Sequence, residues 1–268
     1  MKIAAACLAT ACCAGVTSAG AATCGNDSSG FGRWVTEIRG EAVAAGISAR
    51  AVDQVLSQVS YSRATIGVDR GHHGFNMSLD EFMKKRGAAG IAAQGRKQLA
   101  RNAALFASIE KRFGVPPGPV ITVWGMETGF GSFMGNAPTL ASVATLAYDC
   151  RRTQFFTDQF MAALKLVEQG ELSVNAIGAS HGEIGHTQFL PKNVLEFGVD
   201  GDGDGRIDLI HSVPDALAST ANYFRGHGWQ SGAGYQVGEP NFAVIQAWNA
   251  ATVYQQTIAI VAAQIDKR

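Results

Sequence analysis

The stretch 115–135, VPPGPVITVWGMETGFGSFMG, decides the fold class of this chain. Pro116 and Pro117 can open a helix, because a proline in the first turn lacks only an N–H that would be unpaired anyway. Val120, Ile121, Val123, Trp124 and Met126 then leave no polar face, so the segment reads as buried. Gly129, Gly131 and Gly135 break the pattern straight after Glu127. A carboxyl at the end of a buried helix, opening onto a glycine-rich turn, is partly withdrawn from water yet reachable. Desolvation penalises the charged form and raises a carboxyl pKa, which suits a general acid near neutral pH. The same carboxyl would serve equally as the partner of an arginine or the cap of a neighbouring helix. The stretch alone leaves both readings open.

Toward the N-terminus, Ser78-Leu79-Asp80-Glu81 is a capping box. The helical stretch behind it has interruptions near Gly87 and Gly90 and runs through Leu99, Leu105 and Ile109 to Gly114. Phe31, Trp34, Ile38 and Ala42 recur at helical spacing up to Gly46, and Ser48 caps a second helix with Val52, Val55 and Leu56 inward. The stretch 57–76 reads as irregular. It contains His72 and His73, which are a solvated pair or metal ligands, with no partner ligand at suitable spacing.

Toward the C-terminus, Leu140, Val143, Ala144 and Ala147 form another helix face. Arg151 and Arg152 precede a helix with Phe155, Phe156, Phe160, Leu164 and Val167. Paired arginines suit an anionic group on a substrate; the alternative is a solvated helix start, although cations there oppose the helix dipole. The stretch 176–191, AIGASHGEIGHTQFLP, is a glycine-rich loop that brings short polar side chains toward a ligand. Glu183 is a second candidate carboxylate. His181 and His186 lie five apart, which does not match a zinc helix, so they read as loop polar groups.

The stretch 200–208, DGDGDGRID, has acids at positions one, three, five and nine and glycine at six. That is the front half of a calcium loop, with hard oxygen ligands on alternate residues. His211 stands where an EF-hand has its bidentate glutamate, and Asp215 is the candidate to close the shell. The alternative is an acidic turn without metal. Pro214 and Asp215 start a helix through Ala218, Ala221 and Phe224, 232–240 is a linker or hairpin, and Val253, Ile258, Val261 and Ile265 stripe a final helix. Helices far outnumber strands, so the expected class is mainly α (α+β).

At 268 residues, with 47% hydrophobic and 16% charged content, the chain can bury one sizeable core and is not a disordered polyelectrolyte. Its 22 basic and 22 acidic residues cancel, leaving no basic footprint for nucleic acid. Residues 1–22 read as a secretory signal: Lys2, a short apolar run, and small residues around Ala19 to Ala22. The run is too short to span a bilayer. A lipoprotein signal using Cys12 or Cys13 is the rival, but 9–11 match a lipobox poorly. Cys24 and Cys150 remain in the mature chain. In an oxidising compartment they suggest one disulfide, with two free thiols as the alternative.

With these pieces in place, the chain resembles the lytic murein transglycosylase B family. The resemblance is carried by GVPPGPVITVWGMETGFG, ATLAYDCRRTQFF, GEIGHTQFLP, DGDGDGRIDL, DALASTANYF with GHGW, and WNAATVY, in that order. It covers nearly the whole mature chain. It implies a lysozyme-like core with additional helices and a small β subdomain near an EF-hand-like cation loop. It also implies cleavage of the β-1,4 bond between N-acetylmuramic acid and N-acetylglucosamine in peptidoglycan, leaving a 1,6-anhydromuramoyl end. Glu127 is then the sole general acid and base. Gln188, Tyr223, Tyr254 and Asn249 would line the cleft, with Glu183 also placed at the substrate. Trp248, where some members have tyrosine, would offer a stacking surface. Arg151 and Arg152 would meet carboxylates of the substrate. Asp200, Asp202, Asp204, the Arg206 carbonyl and Asp215 would hold a structural Ca2+ or Na+, with no cofactor in catalysis.

The expectation is therefore a periplasmic, monomeric enzyme: a signal peptide at 1–22 and a single catalytic domain at 23–268. Its partners would be glycan strands and cell-wall assembly proteins. Two other readings stand beside it. One is a hydrolytic muramidase with Glu183 or Asp149 as second carboxylate. The other is a noncatalytic peptidoglycan-binding protein.

Overall fold

The structure is a computed structural model and describes residues 21–71 and 76–267. Most of the expected leader, residues 1–20, lies outside the described residues, as do His72 and His73. The helices are α1 Phe31–Ala44, α2 Ala49–Leu56, α3 Arg63–Gly71, α4 Leu79–Arg86, α5 Ala88–Arg101, α6 Ala103–Phe113, α7 Pro117–Thr128, α8 Thr139–Tyr148, α9 Thr153–Gln169, α10 Pro191–Phe197, α11 Val213–Gly226, α12 Phe242–Trp248 and α13 Thr252–Asp266. Two short strands, β1 Ala137–Pro138 and β2 Ile177–Gly178, pair antiparallel. The loop after β2 is tied to the end of the acidic loop by His186 N–H donating to the Leu209 carbonyl at 3.0 Å. No helix among the described residues is long and apolar enough to cross a membrane.

Helix α7 is the centre of one packing unit. Val120, Ile121, Val123, Trp124 and Met126 are all buried, as the apolar run requires. It packs against α5, α6, α11 and α13. Close approach to α5 depends on Gly125, where a Cβ would lie 2.5 Å from Ile91 Cγ2 and 2.8 Å from the Phe130 ring. Pro117 starts the helix, and Gly129 ends it in the left-handed conformation, φ 58°, which glycine adopts without steric cost. A second unit forms around α8 and α9, which pack on each other and on α1, α2, α3 and α10. One continuous set of buried side chains runs through both units, from Phe31 to Ile265.

Two local expectations need correction. The stretch 57–76 is not irregular throughout: α3 occupies Arg63–Gly71. Its inward residues are Thr65, Ile66 and Asp69. Thr65 Oγ1 lies 3.2 Å from Ser142 Oγ on α8, so this helix is held partly by polar contacts and shows little apolar periodicity. Gly90 does not interrupt α5, which continues through it; the breaks fall at Gly87, φ 66°, and at Asn102, φ −116°. In the acidic loop, Asp215 braces the backbone. Its two carboxylate oxygens accept the N–H groups of Gly201 and Asp208, each at 2.8 Å.

The N-terminal segment is stapled to the second unit. Cys24 and Cys150 form a disulfide across a separation of 126 residues, and Gly25 N–H donates to the Tyr148 carbonyl at 3.0 Å beside it. A crosslink closing so long a loop restricts the unfolded chain strongly. The double substitution Cys24→Ser, Cys150→Ser should lower unfolding free energy by about 2–4 kcal/mol. Denaturant titration under non-reducing conditions checks this, and an unchanged midpoint would show that the bridge does not form.

Candidate active site

Glu127 is the penultimate residue of α7 and borders two adjoining cavities, of about 290 and 740 Å³. The two share Glu127, His181, Glu183, Leu190 and Asn249, so they are parts of one cleft with Glu127 where they meet. The cleft runs between the two packing units. Its smaller part carries Gln188, Tyr223 and Trp248; its larger part carries Asp69, Arg86, Arg151, Arg152 and Tyr254. The eight residues expected at the substrate thus line one cavity system, although they come from five stretches of chain. Asp200, Asp202 and Asp204 are not among its lining residues.

Glu127 is half-buried, and its Oε1 accepts two hydrogen bonds. Tyr254 Oη donates at 2.6 Å and Trp248 Nε1 at 3.0 Å. Burial pushes the Glu127 carboxyl above the usual carboxylate range; the two donors and the Arg86 guanidinium pull the other way, and Glu183 adds to the rise. Burial also raises the Tyr254 phenol, reinforced by the Glu127 carboxylate. Tyr254 therefore stays a neutral donor. Trp248 makes edge-on contacts with Phe189, Tyr223 and Phe224 at centroid distances of 5.5, 5.0 and 5.7 Å. The Tyr223 hydroxyl is occupied, donating to the Ala247 carbonyl at 2.7 Å.

The loop opposite α7 is tied to that helix by Thr128. Its hydroxyl donates to the His186 carbonyl at 2.6 Å and accepts the Gly131 N–H at 2.9 Å. His186 Nδ1 accepts the Trp124 indole N–H at 3.3 Å. Burial pushes the imidazole down, which keeps that nitrogen an acceptor. Gln188 sits at φ 54°, a conformation rare for a side chain of its size. Its amide donates to the carbonyls of Gly185 at 2.9 Å and Met134 at 3.3 Å. These bonds join the 129–135 turn to the loop and hold the cleft wall.

At the far end of the larger part, Asp69 is buried and gathers Arg151 at 3.1 Å, Arg152, and His181 Nε2 at 3.3 Å. Sequence reasoning missed Asp69 because it treated α3 as loop. The only signal was its spacing of three and four from Ile66 and Thr65. Arg86 was missed too; its guanidinium lies 5.8 Å from the Tyr254 ring centroid, at the cleft. Asp149, one of the two candidate second carboxylates, is buried and pairs with Arg70 at 3.0 Å. It is not a lining residue of the cleft. Glu183 is one, and its Oε2 is buried without a partner among the described residues.

In the acidic loop, carboxylate oxygens of Asp200, Asp202 and Asp204 lie within 4.8 Å of one another. Three hard oxygen donors in such a cluster fit a cation of the calcium type. The Arg206 N–H donates to Asp204 Oδ1 at 2.8 Å and Ser212 Oγ to Asp202 Oδ2 at 2.8 Å, which order the loop around them.

The raised carboxyl has a consequence for stability. A folded-state pKa above the unfolded value contributes stability below the unfolded pKa, and that contribution is lost as pH rises through the folded pKa. Glu127→Gln keeps an acceptor for both donors and carries no charge. Its Tm should exceed that of the wild type by a margin that grows from pH 4 to pH 8. Calorimetry across that range checks the sign, and a margin that shrinks with pH would contradict a desolvated carboxyl.

Comparison with known proteins places the chain. Residues 30–238 match the family model described as the transglycosylase SLT domain. Membrane-bound lytic murein transglycosylase B of Escherichia coli K12 is 36% identical over 122 residues, which is 45% of this chain and 34% of that protein. The match thus spans about a third of that relative's length. SltB3 of Pseudomonas aeruginosa, solved in complex with NAG-NAM-pentapeptide, superposes with a TM-score of 0.82 at 27% identity, covering 89% of this chain and 80% of that one. The Escherichia coli lytic transglycosylase Slt35, solved in complex with calcium, shares the fold, with a TM-score of 0.74 at 21% identity over 91% of this chain and 96% of that one. The family match covers the second packing unit, all of α7 and the turn beyond Glu127, and on that match the chain belongs to the transglycosylase SLT domain family.

Proposed function

We propose that this protein is a lytic transglycosylase that cleaves the N-acetylmuramic acid–β-1,4–N-acetylglucosamine bond of peptidoglycan without water, with Glu127 as its sole general acid and base. The observation that carries this reading is the Glu127 carboxyl itself: raised by burial, held by two donors, and set where the two parts of a long cleft meet. The SltB3 complex with NAG-NAM-pentapeptide supports the substrate class.

In the first half of the reaction, neutral Glu127 gives its proton to the glycosidic oxygen. The bond from that oxygen to C1 breaks and the N-acetylglucosamine end leaves with the proton. In the second half, the Glu127 carboxylate takes the proton of the muramoyl C6 hydroxyl as its oxygen bonds to C1. The anhydro ring closes and Glu127 is neutral again. One group must therefore be an acid and then a base. Desolvation favours its neutral form, while the Tyr254 and Trp248 donors favour its anion. Opposing influences of this kind keep a carboxyl usable in both roles. The substrate's own N-acetyl group would stabilise the cationic C1, so the two-carboxylate arrangement of ordinary glycosidases is not required.

In this account Gln188, Tyr223 and Asn249 shape the sugar sites, and Arg151 and Arg152 meet lactyl or peptide carboxylates in exchange for part of their contact with Asp69. Asp200, Asp202 and Asp204 would hold a hard cation such as Ca2+ or Na+, with the Arg206 carbonyl beside them and Asp215 bracing the loop. The cation would stabilise the fold; the acidic loop is not part of the cleft lining. Residues 23–268 would act as one monomeric catalytic unit in the periplasm, delivered by the signal at 1–22. A hydrolytic reading keeps one supporting observation, the presence of Glu183 in the same cleft as Glu127.

Mass spectrometry of digested, purified peptidoglycan separates these readings. The wild type and Glu183→Gln should release anhydro ends, and Glu127→Gln should lose activity by about a hundredfold or more while keeping its fold. Reducing ends from the wild type would establish hydrolysis instead. Sacculus binding with no soluble product would establish a noncatalytic binder. Chelation should lower the Tm more than it lowers activity of the folded enzyme; superimposable melting curves would remove the cation.

A further inference from the structure

We propose that Trp248 is a positioning residue of the acid–base step: its indole N–H confines the carboxylic proton of Glu127 to Oε2, the oxygen that faces the cleft. The inference rests on the lytic reading above and goes beyond a stacking role for Trp248.

Both donors to Glu127 converge on one oxygen, Oε1. The two donors are not equivalent. A tyrosine hydroxyl can donate or accept, whereas an indole N–H only donates. A proton placed on Oε1 would confront the Trp248 N–H at 3.0 Å and sacrifice that bond. The neutral acid therefore carries its proton on Oε2. That oxygen has no partner among the described residues, and it is not one of their buried unpartnered atoms. It is accordingly open to the cleft, where Glu127 borders both cavities. The direction of the N–H does not depend on substrate, because edge contacts with Phe189, Tyr223 and Phe224 hold the ring. A carboxylic acid free to protonate either oxygen would present its proton to the cleft only part of the time. After proton transfer, the same N–H steadies the anion.

Other titratable and charged groups face Glu127 as well. Tyr254 comes from α13, Arg86 from α4 and Glu183 from the loop after β2. Asp69, Arg151, Arg152 and His181 lie further along the cleft. Trp248→Phe leaves all of these unchanged. It keeps an aromatic ring and removes the donor together with the five-membered ring of the indole.

Two measurements on the full chain test the inference. Carboxyl titration by NMR on 13C-labelled glutamate, with the Glu127 resonance identified by its absence in Glu127→Gln, should show a higher midpoint in Trp248→Phe than in the wild type. The alkaline limb of the kcat profile should move to higher pH in step. At its optimum kcat should fall about fivefold, as for loss of one hydrogen bond, with KM unchanged. An unmoved midpoint, or a raised KM with unchanged kcat, would overturn the inference and leave Trp248 a stacking surface. If Trp248→Phe does not fold, benzothienylalanine at position 248 keeps the bicyclic shape without the N–H, and the same outcomes apply. The titration needs no turnover. Failure of the lytic reading would appear instead in the wild-type products, so the two failures are distinguishable.

Discussion

The withdrawal of one carboxyl from water is the constraint on which the site depends. Glu127 belongs to a helix that is apolar on every side, and that helix is buried because α5, α6, α11 and α13 enclose it. Its charged form is therefore expensive, and it is tolerated because two donors reach the same oxygen from the C-terminal part of the chain. Without the burial, the carboxyl would be an ordinary surface anion, unable to deliver a proton near neutrality. Without the donors, it would be reluctant to become the base that the second half of the proposed reaction needs. The fold sets these two influences against each other on a single side chain.

The two packing units explain why the cleft exists at all. One is built around α7 and the other around α8 and α9, and their shared boundary is lined with polar groups. Thr128 and His186 tie α7 to the loop opposite it, and Gln188 ties that loop to the turn beyond Glu127. On the other wall, Asp69 holds Arg151, Arg152 and His181 together. A buried carboxylate in contact with three cationic or basic groups keeps them ordered in advance of any anionic ligand. The acidic loop touches this frame indirectly, through the backbone bond between Leu209 and His186.

Much of this was legible in the sequence, for identifiable reasons. Helix α7 announces itself because an apolar run between a Pro-Pro pair and a glycine cluster has few alternatives. Glu127 stands out because it is the only acid in that run. Helices α1, α2, α4, α8, α9 and α13 follow from caps and apolar periodicity. Helix α3 was missed because polar residues bury it, so periodicity has little to register, and Asp69 was missed with it. Gly90 looked like a break because glycine is a poor helix former, but the packing of α5 against α7 and α13 overrides that preference. The role of Trp248 was the least legible. Its partner lies 121 residues away, and an indole can stack or donate according to an orientation that three distant aromatic rings decide. Tyr254, 127 residues from Glu127, was placed near the cleft by family resemblance, while its bond to the carboxyl came only from the fold.

A crystal structure of the Glu127→Gln protein with a bound NAG-NAM oligosaccharide tests the central claim most directly. The account predicts a glycan lying along the cleft across both cavities. A muramoyl–glucosaminyl oxygen should sit within hydrogen-bonding distance of the side chain at position 127, on the side away from Trp248 and Tyr254. A glycan bound elsewhere on the surface, or one whose scissile oxygen is held against a different acid, would contradict it.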